Sequence, residues 1–215
     1  MFSTDATIHP YPAGDTSLRR FAVELKSLGY DSAVATGIGE RCEYGGIVFL
    51  KGTIVAGGSM KEVIAAIRED RGSSDVIMVC AGDAPFNRAV LTYPGVHILK
   101  GVHAVHRNDF DPVAARSAAD RGVAVDIDLS AMTSLRGVRR QRAMERLTDV
   151  ARLSRKYGFA LTVSSGAHSL LGMRSTRAAS HLLALIGLDA PGAAAALGGV
   201  RSVVDRPGPV EVIEW

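Results

Sequence analysis

Short apolar runs alternate with capped, helix-periodic stretches along the whole chain. Ala6–His9 predicts a first strand. A helix follows, capped by Asp15, with Leu18, Phe21, Ala22, Leu25 and Leu28 on one face and Gly29 as its stop. Ser32–Thr36 predicts the next strand. Ile47–Leu50 and Thr53–Ala56 are strand-like on either side of Lys51-Gly52, and read as a hairpin or as one bent strand. Ser59-Met60-Lys61-Glu62 has the form of a capping box, opening a helix through Val63, Ile64 and Ile67 to Gly72. Val76–Cys80 and Val96–Leu99 predict two further strands. Asp111-Pro112 supplies an N-cap and a proline at the first helical position, and Gly122 closes that helix. The strand Val123–Ile127, a long helix over Leu135–Tyr157 and the strand Phe159–Val163 come next. Helices capped by Ser175 and Asp189 are predicted over Thr176–Ile186 and Pro191–Val204, and Pro207–Trp215 reads as an extended tail.

Strands alternating with helices imply parallel pairing through right-handed crossovers. Seven strands are visible, and an eighth near Arg201–Val204 competes with a helix. The expected fold is α/β: one TIM-barrel-like domain over residues 1–206 with seven or eight mostly parallel strands, followed by the tail 207–215. A doubly wound open sheet is the alternative. Composition agrees, since a 215-residue chain that is 47% hydrophobic and 22% charged excludes a disordered tail and a disulfide miniprotein. Cys42 and Cys80 form no CxxC pair, and Cys80, ending an apolar run, reads as a buried free thiol. No signal-peptide pattern opens the chain, and no apolar stretch approaches the ~20 residues of a membrane span, so the expected setting is cytoplasmic with no membrane partner.

Charge is uneven. Residues 1–99 hold nine basic and eleven acidic side chains, residues 100–215 sixteen and eleven. The excess centres on the long helix, where Arg136, Arg139, Arg140, Arg142, Arg146, Arg152, Arg155 and Lys156 face only Glu145 and Asp149. Ala143, Leu147, Val150, Ala151 and Ser154 mark its buried side, leaving most of the arginines outside it. Arginine forks meet phosphate oxygens bidentately, and each neutralised phosphate releases counterions. A merely solvated helix face is the plainer reading of such a run.

A second cluster lies at strand ends. His9, His103, His106, Asp126, Asp128 and His168 all fall in or just after predicted strands, where a TIM barrel places its active site. A hydrolytic metal centre would need several of them to converge on one point. No HxH or DxH pair occurs, and isolated histidines at strand ends are more commonly satisfied polar groups. His97 and His181 read as packing residues. Gly37-Ile38-Gly39, Gly45-Gly46 and Gly57-Gly58 lack the framing of a phosphate cradle and read as turns.

Several segments in order resemble the ribonuclease P protein component 3 family, known from archaea with eukaryotic counterparts. They are Val123–Leu129, the arginine-bearing helix ending Arg155-Lys156-Tyr157, Leu161–Ala167, Met173-Arg174-Ser175-Thr176 and Leu185–Leu188 with the Ala-rich helix after it. Ala6–Pro12, Gly29–Ala35 and Gly46–Ala56 fit more loosely. The resemblance implies a barrel related to the polymerase and histidinol phosphatase (PHP) metallohydrolases. It also implies a protein subunit of ribonuclease P, the endoribonuclease that removes the 5′ leader of precursor tRNA. In that reading the chain has no catalytic residue and no metal, and binds no cofactor itself. The RNA subunit and its magnesium carry the chemistry, protein component 2 is the protein partner, and precursor tRNA is met indirectly. Together the two proteins stabilise the catalytic domain of the RNA. Arg174 matches the family's C-terminal arginine, and Arg107 falls at a basic loop position; either could reach RNA backbone. Arg174 could equally pair with Asp126 or Asp128. Met173 and Thr176 depart from the family's acidic residue and proline. The RNA contacts expected on this reading are Arg107, Arg139, Arg142, Arg146, Arg174 and Arg177, with Lys100 added. The alternative is a PHP-like metal-dependent phosphoesterase built on His9, His103, His106, Asp126, Asp128 and His168.

Overall fold

The computed structural model describes residues 2–205. Seven parallel strands form one sheet in the order β1 (Thr4–Ile8), β2 (Ser32–Thr36), β4 (Ile47–Val55), β5 (Val76–Cys80), β6 (Ile98–Lys100), β7 (Ala124–Asp128) and β8 (Leu161–Ser164). The sheet curls until its first and last strands meet. His9 N donates to Ala167 O at 2.8 Å and Gly166 N to Thr7 O at 3.0 Å, and Ile8 bridges to Ala167 in parallel. The expected barrel is therefore present, and the open doubly wound sheet is not.

The two apolar pieces around Lys51-Gly52 are one nine-residue strand. Gly52 faces the barrel interior, where an added Cβ would overlap Val34 Cγ1 and press on the Met78 methyl. The hairpin lies one step earlier: β3 (Cys42–Tyr44) pairs antiparallel with β4 across Gly45-Gly46, both at positive φ.

Helices fill the crossovers: α1 (Leu18–Ser27), α2 (Met60–Asp70), α3 (Ala84–Thr92), α4 (Pro112–Arg121), the short α5 (Ser130–Thr133), α6 (Gly137–Tyr157), α7 (Thr176–Ala184), α8 (Ala190–Leu197) and α9 (Gly199–Val204). Ser17, not Asp15, caps α1, its hydroxyl accepting from Arg20 N. The Ser59–Glu62 capping box, the Asp111 cap and the Gly122 stop are formed as expected. Helix α3 is absent from the sequence reading. Its Asp83 cap and Ala84-Pro85 start are ordinary signals, but only Val90, Leu91 and the polar Asn87 are buried on it.

The long helix starts at Gly137, after the separate turn of α5. The predicted helix over 191–204 is split at Gly198 into α8 and α9, which settles the ambiguous eighth strand as helix. Val200 and Val203 of α9 join Ala6, Val34, Leu50, Val76, Met78, Ile98 and Ala124 in the barrel interior, and Gly199 lies against Leu161 O at the start of β8. The N-terminal end of the barrel is thus closed by apolar packing. The larger core lies between the strands and the helical ring, with Phe21, Phe49, Ile67, Leu91, Leu99 and Leu147 fully buried. The predicted tail 207–215 lies outside the described residues.

Candidate functional site: the barrel mouth and the arginine face of α6

At the strand C-termini the interior turns polar. Lys100 ends β6, only 8% exposed, and its ammonium donates to Asp126 Oδ2 at 2.7 Å and Ser164 Oγ at 2.9 Å. Asp128 Oδ2 stands 3.9 Å from the same nitrogen. Thr162 Oγ1 and Ser164 Oγ donate to the two oxygens of Asp126, at 3.1 and 2.6 Å. Asp128 Oδ1 accepts from Ser130 N at 2.9 Å. Burial alone would push the Lys100 ammonium down, but the Asp126 and Asp128 carboxylates outweigh it and hold the group above the ordinary lysine range.

Asp5, on β1, lies beside this network. Its Oδ1 accepts from Ser165 N at 3.0 Å and Thr7 N at 3.1 Å, which ties β1 to the end of β8. Its Oδ2 is buried without a partner. Burial, opposed by the Ser165 and Thr7 hydrogen bonds, raises this carboxyl to about 6.

His9 and His168 are neighbours, with ring centroids 4.2 Å apart and planes inclined by 13°. They stack rather than converge as ligands. His9 Nδ1 shares a hydrogen bond with Thr36 Oγ1 at 2.8 Å, and His168 Nδ1 meets Ala13 O at 3.1 Å. Burial, with His168 and Lys100 nearby, lowers His9 to about 4, so its ring is neutral near pH 7. His103 is half-buried with an unpartnered Nδ1, and burial lowers it too. His106 sits apart on the surface, capping the short 3-10 turn Arg107–Asp109.

These residues do not fit a hydrolytic metal centre. The space between Asp126 and Asp128 holds the Lys100 ammonium, a positive charge supplied by the chain itself. Among the described residues no three His, Cys, Asp or Glu side chains group as a cation would require. The metallohydrolase alternative built on His9, His103, His106, Asp126, Asp128 and His168 is therefore corrected. Lys100 is corrected as well: the expectation has it reaching RNA, and it is enclosed in an ion pair. Arg174 does not pair with Asp126 or Asp128, because Lys100 takes that place. Its Nη1 donates instead to Leu171 O at 2.9 Å and Met173 O at 2.6 Å, pinning the loop after β8.

The remaining arginines lie outside the barrel. Arg139 and Arg142 are exposed on α6, and Arg177 is exposed in the first turn of α7. Arg146 Nη1 donates to His103 O at 2.7 Å, fastening α6 to the loop after β6. From that loop Arg107 Nε reaches Asp149 Oδ2 at 2.7 Å, and Asp149 also accepts from Arg152 at 3.0 Å. His106, Arg107, Arg142, Glu145 and Arg146 line one surface depression of about 340 Å³. The structure brings Arg107, Arg142 and Arg146 together at this depression, and Arg174 and Arg177 are not among its lining residues. Asp5, Thr162 and Ser164 are not among the residues the sequence singles out. A carboxylate at Asp5 ahead of the apolar strand is the available signal, but the apolar pattern starts that strand one residue later.

Comparison with known proteins adds the relationship. Residues 2–208 match the family described as RNase P subunit p30. Ribonuclease P protein component 3 of Methanosarcina barkeri is 28% identical, over 98% of this chain and 92% of its own length. The protein of the same name from Methanothermobacter thermautotrophicus is 26% identical over 81% of this chain and 77% of its own. Among solved structures, a chain in archaeal ribonuclease P with mature tRNA superposes with a TM-score of 0.77 at 16% identity, covering 94% of this chain and 90% of that one. The histidinol phosphate phosphatase of Lactococcus lactis, solved with zinc, L-histidinol and phosphate, superposes at 0.56 with 10% identity, covering 87% and 94%.

Proposed function

The chain belongs to the RNase P subunit p30 family, a protein subunit of ribonuclease P, and we propose that it serves there as a non-catalytic RNA clamp. In this reading it binds the ribonuclease P RNA through phosphates and, with protein component 2, holds the catalytic RNA domain in shape for removal of the 5′ leader. The hydrolytic chemistry and its magnesium belong to the RNA. Precursor tRNA is contacted through the assembly.

The observation that carries the reading is the depression where α6 meets the loop after β6. Three arginines converge there, two of them braced by the Arg146–His103 and Arg107–Asp149 contacts. Guanidinium forks suit phosphate and 2′-OH recognition of folded RNA, which is read by shape more than by base edges. Arg139 extends this face along α6, and Arg174 and Arg177 offer a second set of contacts beyond the mouth. Lys100 has no part in it.

No helix among the described residues is long and apolar enough to cross a membrane. The free thiols of Cys42 and Cys80 suit the cytoplasmic setting proposed for tRNA maturation.

Cleavage of precursor tRNA by the cognate RNA subunit with component 2, at low magnesium, tests the proposal. Adding this chain should raise the rate or lower the magnesium requirement. An unchanged rate at every magnesium concentration would refute it.

A further inference from the structure

Two loops meet at one edge of the mouth. Residues 9–17 follow β1 and residues 165–175 follow β8. Asp15 N donates to His168 O at 2.9 Å, and Gly14 packs so closely on His9 O and His168 O that only glycine fits. The His9–His168 stack spans this junction. His9 is the inner ring and His168 the exposed one. Because Ala13 O can only accept, His168 Nδ1 is the donor in their 3.1 Å hydrogen bond, and the ring plane is fixed. The same two loops carry the two most exposed large apolar side chains among the described residues, Leu171 at 88% and Tyr11 at 74%. Arg174 braces the Leu171 carbonyl, and Arg177 is exposed one turn into α7.

We propose that this rim is a stacking platform for an unpaired RNA base, with His168 as the ring beneath the base and Tyr11 and Leu171 as its walls. The proposal rests on the RNA-subunit reading above and adds a contact of another kind. A planar ring already stacked on one side and fixed by a hydrogen bond loses little freedom when a base covers its other face. Base–aromatic stacking is the usual way unpaired nucleotides are held. Neutral His9 beneath it keeps the pair free of mutual repulsion. Arg174 uses one of its nitrogens for the loop carbonyls, so its remaining N–H groups, together with Arg177, can meet the flanking phosphates. What favours a base here is an exposed ring already stacked and oriented, with Arg174 in the same loop and Arg177 at the start of α7 to meet phosphate.

The test uses the full chain and a single-stranded oligoribonucleotide carrying 2-aminopurine, followed by its fluorescence. His168→Ala and Tyr11→Ala should each weaken binding about tenfold, the scale of one lost stacking contact, and abolish the stacking quench. His168→Phe keeps a planar ring and should bind within about threefold of wild type. All three should melt with the parent.

Binding of the alanine variants within twofold of wild type would overturn the platform. So would an equal loss in His168→Phe, which would point to the Ala13 hydrogen bond instead. Normal RNA binding with impaired association to the second protein subunit would show the rim to be a protein contact. If wild type binds no RNA at all, the RNA reading itself falls. If wild type binds, Arg142→Ala weakens it and the mouth variants do not, only the platform falls.

Discussion

Asp5→Asn should make the protein more stable at neutral pH, although Asp5 is almost fully buried and accepts two backbone hydrogen bonds. The carboxyl is raised from 3.8 to about 6, because burial outweighs the Ser165 and Thr7 hydrogen bonds and the Lys100 charge. A shift of roughly 2 pH units corresponds to about 3 kcal/mol at 1.36 kcal/mol per unit. The sign follows from proton binding. The folded state holds this proton more tightly than the unfolded chain, so the group's contribution is complete below about pH 4 and is lost as pH rises through 6.

The amide is neutral at every pH. Its Oδ1 keeps the acceptor for both N–H groups, and its NH₂ stands where the protonated acid would carry its own unpartnered O–H. Urea unfolding of both proteins between pH 4 and 8 reads the difference directly. His9, lowered to about 4, loses its own contribution as pH falls from its unfolded value. Both proteins share that dependence, so it cancels. The midpoints should coincide near pH 4 and diverge through pH 6, with the Asp5→Asn variant ahead by up to about 3 kcal/mol at pH 7.5. A pH-independent difference, or a variant less stable at pH 7.5, would show that the Asp5 carboxylate is ionised and paired, and the argument would be wrong.

Lys100→Met should leave Asp126 and Asp128 without their cation and cost about 3–5 kcal/mol at pH 7, measured by urea midpoints; a variant within about 1 kcal/mol of wild type would mean the pair contributes little. Gly52→Ala pushes a methyl into Val34 and Met78 in the filled barrel and should cost about 1–3 kcal/mol by thermal or urea unfolding, while a neutral result would mean the interior has room there. Arg142→Ala should leave the melting temperature unchanged and reduce the slope of log affinity for RNA against log salt by about 1, read by titration at several salt concentrations; an unchanged slope would remove Arg142 from the phosphate contacts.

The barrel was legible because its signals are local. Each strand is an apolar run between turn residues, and the caps at Ser59, Asp111, Ser175 and Asp189 sit where the sequence puts them. What the pattern leaves open depends on tertiary context. Whether Lys51-Gly52 turns the chain or continues the strand is decided by pairing: β4 runs through Gly52 between β2 on one side and β5 on the other, with Val34 and Met78 of those strands packed on the glycine. Asp15 and Ser17 are both competent caps, and the tight approach of Gly14 to the His168 backbone settles which one begins α1.

The mouth was harder still. Lys100, Asp126 and Ser164 come from three strands and are 64 positions apart at their widest, so their network has no sequence signature. A lysine at a strand end looks like any other basic loop residue until Asp126 is seen beneath it. The arginines of α6 were legible as a face, because helical spacing alone separates them from Ala143, Leu147 and Val150. Their convergence with Arg107 was not, since it depends on where the loop after β6 lands.

On the proposed reading these placements put RNA contact on the outside of the barrel. The mouth holds one ammonium against the carboxylates of Asp126 and Asp128, so with both ionised its local charge is negative before Asp5 is counted. A phosphate entering it would meet like charge in a desolvated setting and find the Lys100 ammonium already engaged. The exposed guanidinium groups proposed for RNA lie elsewhere, on α6, in the loop after β6 and at the start of α7. At the rim itself the accessible surface is the His9–His168 stack, with Tyr11 and Leu171 exposed on the same two loops, and it can accept the face of a base. One strand of RNA could then be read by division of labour, its backbone by arginines outside the barrel and an unstacked base at the mouth. Arg174→Ala separates the two. Losing the brace on Leu171 should weaken 2-aminopurine quenching more than it weakens binding of a fully paired RNA. An equal loss on both RNAs would assign Arg174 to phosphate contact alone.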